Sequence, residues 1–215
     1  MKSILVIGIG RFGMHISKKL SELGNEVLAM DMSEERIRDV MPFVSNAQIG
    51  DYTKEDVLDS LGIDNFDICV VSLSDLSESL EVTYLLKSLG AQYVISRANH
   101  DLHEKLLLRS GADETVYPER EMGEKIAVKH TAVKMFDYIE VTPEHSISEI
   151  AIPKEWTGQS IEAVGVRKKY NVNILAYKQN EFFVESFLPT HVFEENEHIM
   201  VFGKKENIIK LSNKL

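Results

Sequence analysis

The chain has 215 residues, 44% of them hydrophobic, which suits one large domain or two small ones around a genuine core. Its 24 Lys and Arg against 34 Asp and Glu give a formal charge of -10 spread along the chain, a balance that repels phosphate backbones and anionic lipid and so excludes general nucleic-acid or membrane-surface binding. The one cysteine, Cys69 in FDICVVSL, cannot make an intrachain disulfide, and no apolar run reaches the roughly 18 residues of a membrane span, so the expectation is a soluble protein in a reduced, cytoplasmic setting.

Lys2 and SILVIGIG faintly resemble a secretory leader, but Arg11 interrupts the run and no small-residue cleavage site follows. From Ile4 to about Tyr117 short apolar runs alternate with amphipathic stretches. The predicted strands are Ile4 to Gly8, Val27 to Asp31, a weak one near Ala47 to Gly50, Ile68 to Leu73, Tyr93 to Arg97 and Glu114 to Tyr117. Between them, Phe12, Ile16, Leu20 and Leu23 share one helical face that Gly24 is placed to end. Thr53 and Asp56 form a capping-box-like start ahead of Val57, Leu58 and Leu61. Leu80, Leu85, Leu86 and Leu89 make a further stripe, and Leu102, Leu106 and Leu107 another. Strand-then-helix repetition implies a doubly wound parallel sheet with helices on both faces.

A longer helix follows over about Glu121 to Met135, with Met122, Ile126 and Val133 as buried positions. Alternation and Pro then replace helical spacing, with a hairpin around Gln179 to Glu181 and a final strand and helix from NEHIMVFGKKENIIKL. The predicted organisation is an α/β nucleotide-binding domain over residues 1–120, a crossover helix over 121–136, and a small α+β domain over 137–215.

Gly8, Gly10 and Gly13 match G-x-G-x-x-G directly after a strand and before a helix. The first permits a tight turn, the second lets a pyrophosphate approach the backbone, and the third lets helix and strand pack closely. Asp31 ends the next strand about 18 residues later, where an acid accepts hydrogen bonds from both ribose hydroxyls and repels a 2′-phosphate. The implied ligand is NAD or an adenine nucleotide. Arg11 is either a solvated helix-start residue or a cation facing a phosphate; its conflict with the helix dipole favours the second. The carboxyl ends of the other strands add Gly50 to Tyr52, Ser72 to Asp75, and Arg97 to Asn99.

Machinery to transform the nucleotide is not legible. His145, His191 and His198 stand in polar contexts without a paired acid at telling spacing and read as surface imidazoles, and His100 and His103 read as a helix start.

The stretches VIGIGRFG, VLAMD, IGDYT, SRAN, GADETVYPEREMG, VRKKYNVNILAY and NEHIMVFG together resemble the cytosolic RCK (TrkA-N/TrkA-C) regulatory subunits of bacterial Ktr/Trk potassium transporters, the KtrA/KtrC group above all, over essentially the whole chain. The resemblance implies a Rossmann domain that binds ATP, ADP or NAD(H), with homodimers forming an octameric ring on a membrane potassium transporter subunit of the KtrB/KtrD kind. It implies a protein that gates ion transport and is not an enzyme; the alternative is a small NAD-dependent oxidoreductase or redox sensor. Carried over position by position, Gly8, Gly10, Arg11, Phe12 and Gly13 form the phosphate turn, and Asp31, Met32 and Ser33 the adenosine contacts. Asp51 and Tyr52 lie near the adenine; Leu73, Ser74 and Arg97 line the rest of the crevice. Glu119 matches an acid that helps hold a divalent cation, Mg or Ca, beside ATP, or else is simply a helix N-terminal acid. Arg167, Asn173 and Pro189 fall where some relatives bind cyclic di-AMP. Two departures are Tyr52, where many relatives have a small residue, and the short acidic loop SLSDLSES.

Overall fold

The computed structural model describes residues 1–131, 135–179 and 182–213, in two compact units, Met1–Glu119 and Arg120–Leu215. In the first unit β1 (Ser3–Ile7), α1 (Arg11–Glu22), β2 (Glu26–Asp31), α2 (Glu34–Val40), β3 (Asn46–Ile49), α3 (Glu55–Asp59), β4 (Ile68–Val71), α4 (Leu76–Ser88), β5 (Val94–Arg97), α5 (Asp101–Arg109) and β6 (Glu114–Val116) alternate. Their strands form one parallel sheet in the order β3-β2-β1-β4-β5-β6. The order reverses between β1 and β4, and a crevice opens there at the carboxyl ends of the strands.

The sheet is buried on both faces, and β1 shows how. Leu5 and Ile7 point into a core with Met30, Cys69, Val71, Val82 and Leu86, while Ile4 and Val6 point into another with Val27, Ala29, Ile37 and Val40. Continuous apolar strands are what a doubly covered parallel sheet requires. Burial pushes the Cys69 thiol up to about 12, so it packs as a small hydrophobe.

Helix α1 lies unusually close to the sheet because its buried residues are Gly13 and Ser17. A Cβ at Gly13 would fall on the carbonyl oxygen of Gly8. The helix ends as expected: Gly24 adopts φ +83, its N–H reaches Ser21 O, and Asn25 N–H reaches back to Leu20 O at 3.2 Å.

Some local expectations fail for identifiable reasons. Leu23 is exposed, because it is the C-cap residue and has already left the helical face. Thr53 caps nothing: its hydroxyl donates to Asp51 at 2.6 Å, and α3 starts from Lys54 without a side-chain cap. In α4 the leucine stripe packs as expected, Leu86 fully buried and Leu80, Leu85 and Leu89 half-buried against the cores, but Ser79, Val82 and Thr83 are buried beside it, Ser79 bonding His103 on α5 and Thr83 bonding Ser96 on β5. Leu102 is exposed, and α5 buries His103 and Leu107 instead.

The helix foreseen from Glu121 begins earlier. α6 runs Pro118–Thr131, and proline in the first turn needs no N–H partner. Met122 and Ile126 are exposed, since their spacing defines a face that none of the described residues covers; Val133 lies outside the described residues.

The second unit continues with β7 (Met135–Glu140), β8 (His145–Ala151), α7 (Ile161–Val164), α8 (Val166–Tyr170), β9 (Val172–Gln179), β10 (Phe182–Val184), β11 (His198–Lys204) and α9 (Lys205–Ser212). Its antiparallel sheet has the order β10-β9-β11-β8-β7. Ile150, Val172, Ile199 and Val201 face a core closed by Ile208, Leu211, Val164 and Trp156, with Trp156 stacked on Phe193 at 5.5 Å. Of the anticipated hairpin turn, residues 180 and 181 lie outside the described residues; β9 and β10 on either side pair antiparallel.

Gly13→Ala is expected to destabilise the first unit by at least about 2 kcal/mol in urea unfolding, although alanine is intrinsically about 1 kcal/mol better than glycine within a helix. Unchanged stability would mean that α1 does not approach the strand as closely as the backbone geometry states.

Candidate functional site

The turn after β1 is held from both sides: Gly8 N–H donates to Met30 O and Ser72 N–H to Ile7 O, each at 2.8 Å. A Cβ at Gly8 would lie 2.7 Å from Leu73 Cδ2, whereas one at Gly10 would meet nothing within 4 Å. Gly10 is the N-cap of α1, without a side-chain cap and with no acid in the first turn. The amides of Arg11, Phe12 and Gly13 therefore have no intrahelical acceptor, and the positive end of the helix faces the open space above Gly10. An open glycine beneath uncapped amides fits a phosphate group.

Asp31, at the end of β2, is 2% exposed. Its Oδ2 accepts the Ile9 N–H at 2.6 Å, its Oδ1 accepts the Ser33 N–H at 2.8 Å, and Arg36 approaches Oδ2 at 3.3 Å. One carboxylate thus ties the glycine turn to the start of α2. Met32 is exposed beside it, and Ser33 caps α2 by accepting the Arg36 N–H at 3.4 Å. Arg36 was not singled out from the sequence. Once Ser33 is taken as an N-cap, Arg36 falls on the first turn beside the strand end, which is the signal that finds it.

Beyond β3, Asp51 Oδ1 accepts both the hydroxyl and the N–H of Thr53, and these bonds hold its carboxyl below the usual range. Tyr52 is buried, and its hydroxyl reaches Glu78 at 3.4 Å. Burial, then the charges of Glu78 and Asp31, push its phenol up to about 12, so it remains a neutral donor. Its ring belongs to the core rather than to an open purine face.

The other half of the crevice centres on Arg97. Leu73 is buried under Gly8. Arg97 donates to Ser74 Oγ at 3.2 Å and to Glu119, and its guanidinium lies 6.0 Å from the ring centroid of Phe12. Asn99 donates to Ser74 O. Partial desolvation works against the charged form of Glu119, but its own backbone amide, Arg97 and the charge of Arg11 outweigh it and hold the carboxyl below its ordinary value. Gly10 and Arg11 line one cleft with Met14, Arg36 and Asp39, and Ser74, Arg97, Asn99, Tyr117 and Glu119 line a second; the Phe12 ring beside Arg97 lies between them in the chain's glycine turn.

No group of three or more His, Cys, Asp and Glu that could hold a metal occurs among the described residues. A divalent cation at Glu119 would take its other donors from phosphate oxygens and water, an arrangement that suits Mg²⁺. Arg167 on α8, Asn173 on β9 and Pro189 between β10 and β11 are all exposed. The histidines of this unit differ from expectation. His191 pairs with Glu197 and His198 with Glu149, each at 2.8 Å, and neither is a free surface imidazole. The second pair joins two strands 49 residues apart in sequence, a separation no local spacing reveals.

Fold and turn define a class: a Rossmann-type α/β domain followed by a small α+β domain. In the same chain order, the TrkA-N domain matches residues 4–118 and the TrkA-C domain residues 147–215. The chain is 37% identical over 215 residues to Ktr system potassium uptake protein C of Bacillus subtilis (strain 168), covering 100% of this chain and 97% of that protein. It is 35% identical over 213 residues to Ktr system potassium uptake protein A of the same organism, with coverage of 99% and 96%. This chain belongs to the family of TrkA-N/TrkA-C proteins that includes the Ktr system potassium uptake proteins. The crystal structure of the GsuK RCK domain superposes with a TM-score of 0.67 at 17% identity, over 98% of this chain and 46% of that one. The GsuK channel bound to NAD gives 0.67 at 17%, over 96% and 38%. These likenesses show the fold, and the family resemblance expected from the motifs is borne out.

Asp31→Ala removes the acceptor of the buried Ile9 amide, of the half-buried Ser33 amide and the partner of Arg36, and is expected to cost about 2 kcal/mol in chemical denaturation. A variant as stable as the parent would show that the carboxylate does not anchor the turn.

Proposed function

We propose that the chain is a nucleotide-sensing regulatory subunit of a potassium uptake system, with an adenine nucleotide, ATP, ADP or NAD(H), in the crevice of the first unit. The carrying observation is the open, uncapped glycine turn with the Asp31 carboxylate at its side, in a chain related over its full length to Ktr system potassium uptake proteins. Phosphates sit on the amides of residues 11–13, and the ribose hydroxyls donate to Asp31. Arg11, Phe12, Ser74, Arg97 and Glu119 surround whatever extends beyond the first phosphates, and Glu119 shares a divalent cation with them.

In this reading its role is regulatory rather than catalytic, and it acts on a membrane subunit of the uptake system; no helix among the described residues is long and apolar enough to cross a membrane. The exposed Met122 and Ile126 on α6 support assembly with further copies, from homodimer to ring. The crossover helix between the two domains is α6, which runs Pro118–Thr131 rather than 121–136, with β7 starting at Met135. Arg167, Asn173 and Pro189 offer a second site, for cyclic di-AMP. A ligand shifts such an assembly only by its unequal affinity for two conformations, so the number of phosphates is the signal.

Titration calorimetry with ATP, ADP and NADH on the wild type and Asp31→Asn tests the site, with potassium uptake measured in cells supplying the membrane subunit. The substitution preserves shape and removes the charge, and should weaken each nucleotide about tenfold or more. Equal affinities in both proteins, or uptake indifferent to which nucleotide is bound, would sink the reading.

A further inference from the structure

Helix α5 starts just after β5, beside a cleft of about 300 Å³ lined by Ser74, Arg97, Asn99, Tyr117 and Glu119. His103, in its first turn, is wholly buried. Its Nε2 lies 2.8 Å from Ser79 Oγ on α4, and its Nδ1 lies 3.3 Å from the backbone nitrogen of Asn99. The partners assign the hydrogens. Ser79 donates its one hydroxyl hydrogen to Leu76 O at 3.0 Å, so it accepts from the His103 Nε2–H. A backbone N–H can only donate, so Nδ1 is a bare acceptor. His103 is therefore a neutral imidazole with both ring nitrogens engaged, and a second ring proton would point straight at the Asn99 N–H.

Asn99 carries this contact to the cleft. Its side-chain amide donates to Ser74 O in the turn after β4, and Ser74 Oγ accepts from Arg97. A line of hydrogen bonds thus runs from buried Ser79 through His103, Asn99 and Ser74 to the guanidinium beside Phe12. His100 braces the same turn: it caps α5, its Nδ1 accepting the His103 N–H at 3.1 Å. The charges around His103 come from several elements. Burial and then His100 hold its imidazole below the ordinary histidine value, and Asp75 at the start of α4 only partly opposes them. On its own helix Asp101 and Glu104 flank it, and Glu104 accepts from Thr115 of β6 at 3.3 Å. The unfolded chain's imidazole titrates at about 6.5, so the stability this neutral ring contributes is present above that pH and lost as pH falls below it.

We propose that His103 is a positioning residue that makes ligand binding in the crevice sensitive to acid: its protonation breaks the bond to Asn99, frees the Ser74 turn and loosens the seat of Arg97. This rests on the crevice being the nucleotide site. One proton on a buried ring then acts at a cleft that the ring itself does not line. Linkage makes the effect reciprocal, so a nucleotide that needs the ordered turn resists the protonation of His103 by the same factor by which that protonation weakens the nucleotide.

The test compares the full-length wild type with His103→Asn and Asn99→Ala. Asparagine puts an amide oxygen near the place of Nδ1, so it keeps an acceptor for the Asn99 N–H and cannot be charged. Asn99→Ala leaves the buried ring alone and cuts the link to Ser74. Each protein is titrated calorimetrically with ADP between about pH 7.5 and about pH 5.5, a range that brackets ordinary histidine titration. Protonation of ADP is common to all three and cancels in the ratio of affinities. Wild type should lose about tenfold in affinity relative to His103→Asn across that range. Asn99→Ala should bind more weakly than wild type at neutral pH and show the flat profile of His103→Asn. Hydrogen exchange of the amides of residues 98–104, read without ligand, should show protection lost at acid pH in wild type and kept in His103→Asn. An affinity ratio that does not change with pH, an Asn99→Ala profile as steep as wild type, or protection lost equally in both proteins overturns the proposal. Should His103→Asn fail to fold, the slope of Asn99→Ala against wild type still decides it. Wild type that binds none of ADP, ATP and NADH at neutral pH defeats the nucleotide-site reading and the ligand half of the proposal with it, and the exchange comparison then decides whether His103 holds Asn99.

Discussion

Helix α1 can start where it does only because two backbones touch with no side chain between them. The Gly13 position has no room for a Cβ against the carbonyl of Gly8, and this contact seats the helix N-terminus on the end of β1. Everything chemically useful in the first unit follows from that seat. The first-turn amides open above Gly10, the Ile9 N–H comes within 2.6 Å of Asp31, and the Phe12 ring comes beside Arg97. A larger residue at 13 would lift the helix and misalign all three together, which is why one glycine contact governs a site spread over five strand ends.

The crevice is a set of charges held in local balance within an acidic chain. Asp31 is buried and faces the half-exposed Arg36; Arg97 is mostly buried and faces the exposed Glu119. In each pair one partner is fixed by packing and the other is free to move, so the fixed charge can change partners without disturbing the core. A buried charge left alone is expensive, and an exposed partner costs little to displace. Such an arrangement favours a ligand that brings its own charges in a defined order, as a nucleotide does with ribose hydroxyls at one end and phosphates at the other.

The sequence revealed the parts whose physics is local. Three glycines between an apolar run and a helical pattern, with an acid at the next strand end, located the turn and Asp31, and the strand-helix alternation yielded the doubly wound sheet. It also carried the family resemblance, through GADETVYPEREMG and the C-terminal stretches. What escaped depends on partners distant in sequence or on competing local bonds. Thr53 resembled a cap, yet Asp51 two residues earlier claims its hydroxyl. The leucine stripe of α4 does pack on the cores, yet Ser79 and Thr83 are buried more deeply than Leu80, Leu85 and Leu89, because His103 and Ser96 reach them from elements distant in sequence. His198 resembled a surface imidazole because Glu149 reaches it only across paired strands. Periodicity likewise placed Met122 and Ile126 on one helical face, but periodicity says which residues share a face and not what covers it.

The placement of Glu119 explains how a small ligand can matter beyond its own cleft. Pro118 fixes the start of α6, and Glu119 follows it directly, so the carboxylate that faces Arg97 belongs to the helix by which the chain leaves the first unit. An acid in the first turn is already favourable to the helix dipole, and its partner can therefore be exchanged without unravelling the helix. A tightly packed glycine turn stands at one side of the crevice and an ion pair with an exposed partner at the other. The carboxylate that pairs with Arg97 thereby sits at the root of α6, continuous with the element that carries the chain onward.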